Sequence, residues 1–133
     1  MNITVIGSGY VGTTLAACLA DLGHGVTAID IDTEIVEQLR AGRSPVAEPG
    51  LDELVSTHSG DRLQATTSYD AIDESDTTFL AVGTPSEADG RIDLDGLSAA
   101  AEALGESLAG LDSEDRQLVV VKSTITPPGI DEV

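Results

Sequence analysis

Short runs of β-branched and other apolar residues alternate along the chain with stretches whose apolar residues recur every three or four positions. This is the pattern of strands joined by helices. The first run, 2–6 (NITVI), leads straight into glycines. Val11, Leu15, Cys18 and Leu22 follow at helical spacing, which predicts a helix from about Tyr10 with those four on its sheet-facing side. Gly23-His24-Gly25 supplies the stop. Residues 26–30 (VTAID) read as a second strand, and Asp32 can cap a helix whose apolar face is Ile35, Val36 and Leu39, ending at Gly42. Prolines and glycine make 43–50 (RSPVAEPG) a loop, followed by a short helix over 51–57. A strand over 63–67, a helical turn over 69–72 and a strand over 77–82 (TTFLAV) come next, the last running into Gly83-Thr84-Pro85. Residues 86–92 are polar and turn-rich, and Asp93 can cap a helix bearing Leu94, Leu97, Ala101, Leu104 and Leu108. The run 118–122 (LVVVK) is nearly all apolar, as in a strand buried on both faces, and ends at Ser123-Thr124. Residues 130–133 read as the start of a helix cut short by the chain's end.

Five strands with crossover helices predict a single α/β domain over 1–133: a Rossmann-type doubly wound parallel sheet, the chain stopping after the fifth strand. The first three strands should lie in the order 3-2-1, with the fourth and fifth on the far side of the first. Ligands of such sheets sit beyond the carboxyl ends of the strands where the order reverses. That rule selects 7–12, Asp30, 83–85 and Ser123-Thr124.

Composition narrows the partners. Against 24 Asp and Glu stand 6 Lys and Arg, a formal charge of −18. Phosphate backbones and anionic membranes are held by clustered cations, so neither nucleic acid nor a membrane surface is an expected partner. No apolar run approaches the roughly 18 residues of a membrane span, and the start, MNITVIGSG, lacks the basic region of a secretory signal. A lone cysteine, Cys18, has no internal disulfide partner, which fits a reducing cytoplasm. High charge with few aromatics is also the mark of disorder, but 41% of residues are hydrophobic and they fall in strand- and helix-length blocks, so a core is available. The acids lie mostly between those blocks, among them Glu34, Glu37, Asp52, Glu53, Glu102, Glu106, Asp112, Glu114 and Asp115. Such an acidic coat, nearly free of lysine, is similar to that of extreme halophiles; an acidic mesophilic protein is the alternative. Its self-repulsion should be relieved by salt.

The residues Gly7-Ser8-Gly9-Tyr10-Val11-Gly12 form G-x-G-x-x-G between a strand and a helix, with an acid, Asp30, closing the second strand. In that context the motif reads as a dinucleotide site. Gly7 allows the tight turn, Gly9 lets backbone approach a pyrophosphate, and Gly12 lets helix pack close to sheet. The helix amino terminus supplies N–H groups and partial positive charge, so phosphate needs no basic side chain. Asp30 would accept the ribose hydroxyls and repel a 2′-phosphate, which favours NAD over NADP. Thr84 and Thr124 close the fourth and fifth strands beside prolines; their hydroxyls either meet cofactor or substrate, or bond nearby backbone as turn threonines commonly do. Cys18 reads as an inert core thiol. His24 and His58 read as surface residues without ligand partners, and no metal site is expected. Asp93/Asp95 and Asp112/Asp115 read as capping or solvated acids.

The chain resembles the amino-terminal NAD-binding domain of the UDP-glucose/GDP-mannose dehydrogenases. The resemblance runs through GSGYVG at 7–12, GHGVTAIDID at 23–32, SPVAEPGLDEL at 44–54, AVGTP at 81–85, DGRIDL at 89–94 and VVVKSTITPPG at 119–129. It implies a cytoplasmic, homodimeric enzyme that oxidises the C6 alcohol of a nucleotide sugar to a carboxylate, with UDP-glucose the default by family frequency and GDP-mannose or UDP-N-acetylmannosamine open. Two NAD are used per sugar, and the path runs through a thiohemiacetal and a thioester. By the same resemblance, Gly7, Gly9, Tyr10, Val11 and Gly12 belong to the cofactor turn, Val11 on its nicotinamide side, and Asp30 to the adenosine ribose. Thr84 would contact the cofactor. Thr124 would sit beside the nicotinamide and help place water or alcohol at the reacting carbon. Glu48 would be a cofactor-side or interface contact. Two departures stand out. Ile35 occupies a place where many relatives carry lysine. The family's nucleophilic cysteine, its lysine and asparagine partners and its sugar site belong to segments beyond residue 133, so these 133 residues alone should not catalyse. Competing readings are the front half of a single-hydride dehydrogenase of the hydroxyacid kind, against which EPGLDEL and VKSTITPPG argue, and a non-catalytic NAD-sensing module.

Overall fold

The computed structural model describes residues 1–111, 116–127 and 129–131. The acids Asp112, Glu114 and Asp115, Pro128 and the last two residues of the expected final helix lie outside the described residues. Five strands, β1 (Asn2–Ile6), β2 (Gly25–Ile29), β3 (Leu63–Thr66), β4 (Thr77–Leu80) and β5 (Leu118–Val121), form one parallel sheet in the order β3-β2-β1-β4-β5. The register sets Ile6 beside Ile29 and Leu80, and Leu80 beside Val121, so all these strands end at one level. The sheet reverses direction of growth between β1 and β4, as expected.

Helices α1 (Tyr10–Asp21), α2 (Thr33–Arg40), α3 (Leu51–His58) and α4 (Asp95–Ala109) cover the two faces, with 3₁₀ turns at Tyr69–Glu74 and Gly129–Asp131. Strand periodicity divides the core accordingly. Ile3, Val5, Val26, Ala28, Leu63 and Ala65 meet the α1, α2 and α3 residues Ala16, Ala17, Ala20, Val36, Leu39, Leu51 and Val55 on one face. Ile6, Ile29 and Leu80 meet Ile72 and the α4 residues Leu97, Ala100 and Leu104 on the other. Local signals work as expected at α2: the Asp32 carboxylate accepts the Glu34 N–H at 2.9 Å.

Four expectations are corrected. The sheet-facing side of α1 is Gly12, Thr13, Ala16, Ala17 and Ala20, not Val11, Leu15, Cys18 and Leu22. Cys18 is exposed, and Val11 and Leu22 are 51% and 75% exposed. The cause is close approach. A Cβ on Gly12 would lie inside the Gly7 carbonyl oxygen and 2.8 Å from its carbon, so only small side chains fit between α1 and the sheet. Second, β5 is not buried on both faces. It is an edge strand with Leu118 61% exposed, and no described helix spans it. Third, the cap of α4 is Leu94, one residue after the expected Asp93, whose carboxylate instead takes the Asp95 N–H at 2.9 Å. His58, expected on the surface without a partner, lies 3.0 Å from the Asp21 carboxylate with its side chain 13% exposed, clasping the ends of α3 and α1.

Candidate functional site

The turn between β1 and α1 is forced by contacts rather than by sequence preference alone. Gly7 has φ +93°, and a Cβ there would stand 2.9 Å from the Ala81 carbonyl. Its N–H donates to the Ile29 carbonyl at 2.8 Å, tying the turn to β2. The next N–H, of Ser8, donates to Asp30 Oδ2 at 2.7 Å, and the Thr13 hydroxyl donates to the Ser8 carbonyl at 2.8 Å. Gly9 caps α1 with no side chain to satisfy the first N–H groups, and a Cβ on it would meet nothing within 4 Å. The helix therefore presents free donors and partial positive charge to open space.

Asp30, at the end of β2, accepts a second bond from the Asp32 N–H through Oδ1 at 3.0 Å. A carboxylate offers about four lone-pair positions. Each oxygen thus keeps one for a vicinal pair of hydroxyls, while the two backbone bonds fix the plane of the carboxylate. Beside it, burial pushes the Tyr69 phenol above its ordinary pKa, and the charge of Asp30 adds to the rise.

Two adjoining cavities open at this edge of the sheet. One, of about 390 Å³, is lined by Gly7, Ser8, Gly9, Asp30, Ile31 and Tyr69, and by the small α4 residues Gly96, Ala99, Ala100 and Ala103. Ser8 is 1% exposed, and its hydroxyl has no hydrogen-bond partner among the described residues. The other, of about 240 Å³, is lined by Gly9, Tyr10, Val11, Gly83, Thr84, Lys122, Ser123 and Thr124. The two share Gly9, Val82 and Gly83, so an elongated ligand can cross from one to the other over the helix terminus. Thr84 donates its hydroxyl to the Thr124 carbonyl at 2.9 Å, and the Ser123 hydroxyl donates to the Val82 carbonyl at 2.7 Å. These bonds lock the ends of β4 and β5 together and leave the Thr84 oxygen able to accept.

Gly7, Gly9, Tyr10, Val11, Asp30, Thr84 and Thr124 thus line the two adjoining cavities, while Gly12 lines neither and is packed against the Gly7 carbonyl. Glu48 lines neither of these cavities. With Pro49, Leu51 and Leu54 it borders an open groove of about 830 Å³ along the outer face of α1, where Cys18 also lies and which meets the second cavity at Tyr10 and Val11. Reasoning from sequence missed Tyr69, Lys122 and the small face of α4, and gave Ser8, within 7–12, no role of its own. Gly96, Ala99, Ala100 and Ala103 do recur at helical spacing, a signal masked by the leucines of the same helix. Among the described residues, no cluster of three or more His, Cys, Asp or Glu could hold a metal, and no helix is long and apolar enough to cross a membrane.

Residues 1–133 match the model of the UDP-glucose/GDP-mannose dehydrogenase family, NAD binding domain. The chain is 57% identical over 127 residues to the UDP-glucose 6-dehydrogenase AglM of Haloferax volcanii, covering 96% of this chain and 29% of that protein. Its structure superposes on a ternary complex of GDP-mannose dehydrogenase from Pseudomonas aeruginosa with a TM-score of 0.92 at 35% identity, over 100% of this chain and 30% of that one. A UDP-glucose dehydrogenase from Pyrobaculum islandicum gives a TM-score of 0.83 at 45% identity, over 95% and 29%. The chain therefore spans about 30% of the length of such relatives.

Proposed function

The chain belongs to the UDP-glucose/GDP-mannose dehydrogenase family as its NAD-binding domain, and on that premise we propose that it serves the oxidation of UDP-glucose to the corresponding uronic acid. NAD is the cofactor, and when bound it supplies a hydride acceptor. The residues present fit it: open space in front of Gly9, an unpartnered buried hydroxyl on Ser8, and a carboxylate with one free position on each oxygen. In this reading Gly7, Gly9 and Gly12 shape the turn, and the N–H groups of Tyr10 and Val11 receive the pyrophosphate. Asp30 holds the adenosine ribose and rejects a 2′-phosphate by charge. Thr84 accepts a hydrogen bond from the cofactor's second half, and Thr124 orients the alcohol or water at the reacting carbon.

The observation that carries the reading is the shared space running from Asp30 across the free end of α1 to Thr84 and Thr124. UDP-glucose is the substrate favoured because the Haloferax volcanii relative bears that name; GDP-mannose is the alternative, as the Pseudomonas aeruginosa relative is named for it. Converting a primary alcohol to a carboxylate removes four electrons as two hydrides and adds one water oxygen, so two NAD are reduced per sugar. The reaction needs a nucleophile that these 133 residues do not provide at the site, and we assign it to the remainder of a polypeptide of the relatives' length, working as a homodimer in the reducing cytoplasm. The test is NADH formed per UDP-glucose consumed by such a polypeptide in molar KCl. Two supports the proposal, one moves the protein to single-hydride dehydrogenases, and none with UDP-glucose but turnover with GDP-mannose changes the substrate.

A further inference from the structure

The chain has one lysine, Lys122, and it lines the cavity at the ends of β4 and β5. No other basic side chain lines either cavity of the site. The chain's other cations include Arg40, bonded to the Ala65 carbonyl, Arg62, bonded to the Gly23 carbonyl, and Arg91, paired with Asp89. Among the described residues the Lys122 ammonium has neither an ion pair nor a hydrogen bond, and no carboxylate lines its cavity. The site is thus polarised: a fixed negative charge, Asp30, in one cavity and an exposed, unpaired positive charge in the other.

The two halves of a dinucleotide must divide in the same way. With the ribose of the adenosine half at Asp30 and the pyrophosphate at Gly9, the nicotinamide half falls in the cavity of Lys122, Thr84 and Thr124. The oxidised nicotinamide ring is a cation and the reduced ring is neutral, whereas the phosphates carry the same charge in both. A chain of net charge −18 stabilises the cationic ring through its overall field and so opposes reduction. We propose that Lys122 offsets that field locally, favouring the reduced over the oxidised cofactor and so the acceptance of hydride. The inference rests on NAD occupying this site as described above.

The test is calorimetric titration of the chain with NAD and with NADH, for the wild type, Lys122→Gln and Lys122→Arg, at a KCl concentration where all three melt as folded proteins. The exposed, unpaired side chain makes Lys122→Gln a mild change for folding. A single partly solvated charge predicts that the ratio Kd(NAD)/Kd(NADH) falls by about 3- to 10-fold in Lys122→Gln. For a two-electron couple, the upper limit corresponds to about 30 mV in midpoint potential. Lys122→Arg should keep the wild-type ratio, and added KCl should raise the ratio in Lys122→Gln, where the negative field of the chain acts unopposed until it is screened, and change it less in the wild type. Equal weakening of both forms, as expected of a phosphate contact, would overturn the inference, as would no change in either. Failure of the wild type to bind either form would overturn the NAD reading itself and the inference with it.

Discussion

Gly12→Ala adds one methyl at the most crowded point of the fold. The new Cβ would overlap the Gly7 carbonyl oxygen and stand 2.8 Å from its carbon, with Ala81 Cβ at 3.5 Å. Carbon–carbon contacts are comfortable at about 3.5–4.0 Å, so the start of α1 must move by about 1 Å. The obstacle is the Gly7 backbone, with the Ala81 Cβ behind it, and neither can rotate away. Overpacking of this kind costs about 1–3 kcal/mol, and a backbone collision belongs at the upper end. For a domain of this size each kcal/mol lowers Tm by about 3–6 °C, so about 2–3 kcal/mol gives a fall of about 6–18 °C. Because the same movement displaces the helix terminus from the Gly7–Asp30 turn, NAD affinity falls too. Gly9→Ala is the control. Its Cβ meets nothing within 4 Å and its φ of −74° suits alanine, so Tm should hold within about 2 °C. The methyl nevertheless occupies the space proposed for pyrophosphate, so NAD binding should be lost. The assay is thermal denaturation followed by circular dichroism in molar KCl, with and without saturating NAD. Equal destabilisation by both substitutions, or undiminished NAD binding by Gly9→Ala, would refute the reasoning.

Asp30→Ala removes the acceptor of two backbone N–H groups and the proposed ribose contact. Hydrogen bonds to a charged group are worth about 1.5–3 kcal/mol, so NAD affinity should drop about 10- to 100-fold by calorimetry and the preference over NADP should vanish. Cys18 should react fully with a thiol reagent in the folded protein, without loss of the native spectrum; protection until denaturant is added would contradict its place on the outer face of α1. The raised pKa of Tyr69 gives a signed pH effect. Above the ordinary pKa near 10, the unfolded chain releases a proton that the folded chain retains, so stability declines as pH rises through the folded value. Tyr69→Phe should flatten that decline, and an unchanged alkaline profile in urea titrations would remove the cause. Stability should also rise steeply from millimolar to molar KCl, because the screening length shrinks from about 30 Å at 0.01 M to about 3 Å at 1 M; a flat Tm would dismiss charge repulsion as a governing term.

Much of the fold was legible because its signals are local. Gly7, Gly12, the Asp32 cap and the apolar β1, β2 and β4 runs each carry their own instruction, and alternation alone orders the sheet once crossovers are right-handed. The inner face of α1 was not legible from hydropathy, since a scale that rewards large side chains points to Val11, Leu15, Cys18 and Leu22. Close packing over Gly7 instead selects Gly12, Ala16, Ala17 and Ala20. The edge position of β5 was equally hidden, because an apolar run does not say which of its faces finds a partner. At the site, Asp30 was readable from its distance to the glycines, but its bond to the Ser8 N–H, the nearness of Tyr69 and the isolation of Lys122 arise only when distant segments meet. The clasp of His58 and Asp21 spans 37 positions and has no sequence signature at all.

The account rests most heavily on the space between Asp30 and the free end of α1 taking NAD. Calorimetric titration of the 133-residue chain with NAD and separately with NADP, in molar KCl, tests it without any sugar or further polypeptide. The account predicts saturable binding of one NAD per chain and NADP weaker by at least about tenfold, since Asp30 repels the added phosphate and no basic residue lines its cavity among the described residues. Equal affinity for the two cofactors, or no binding of NAD, would contradict it.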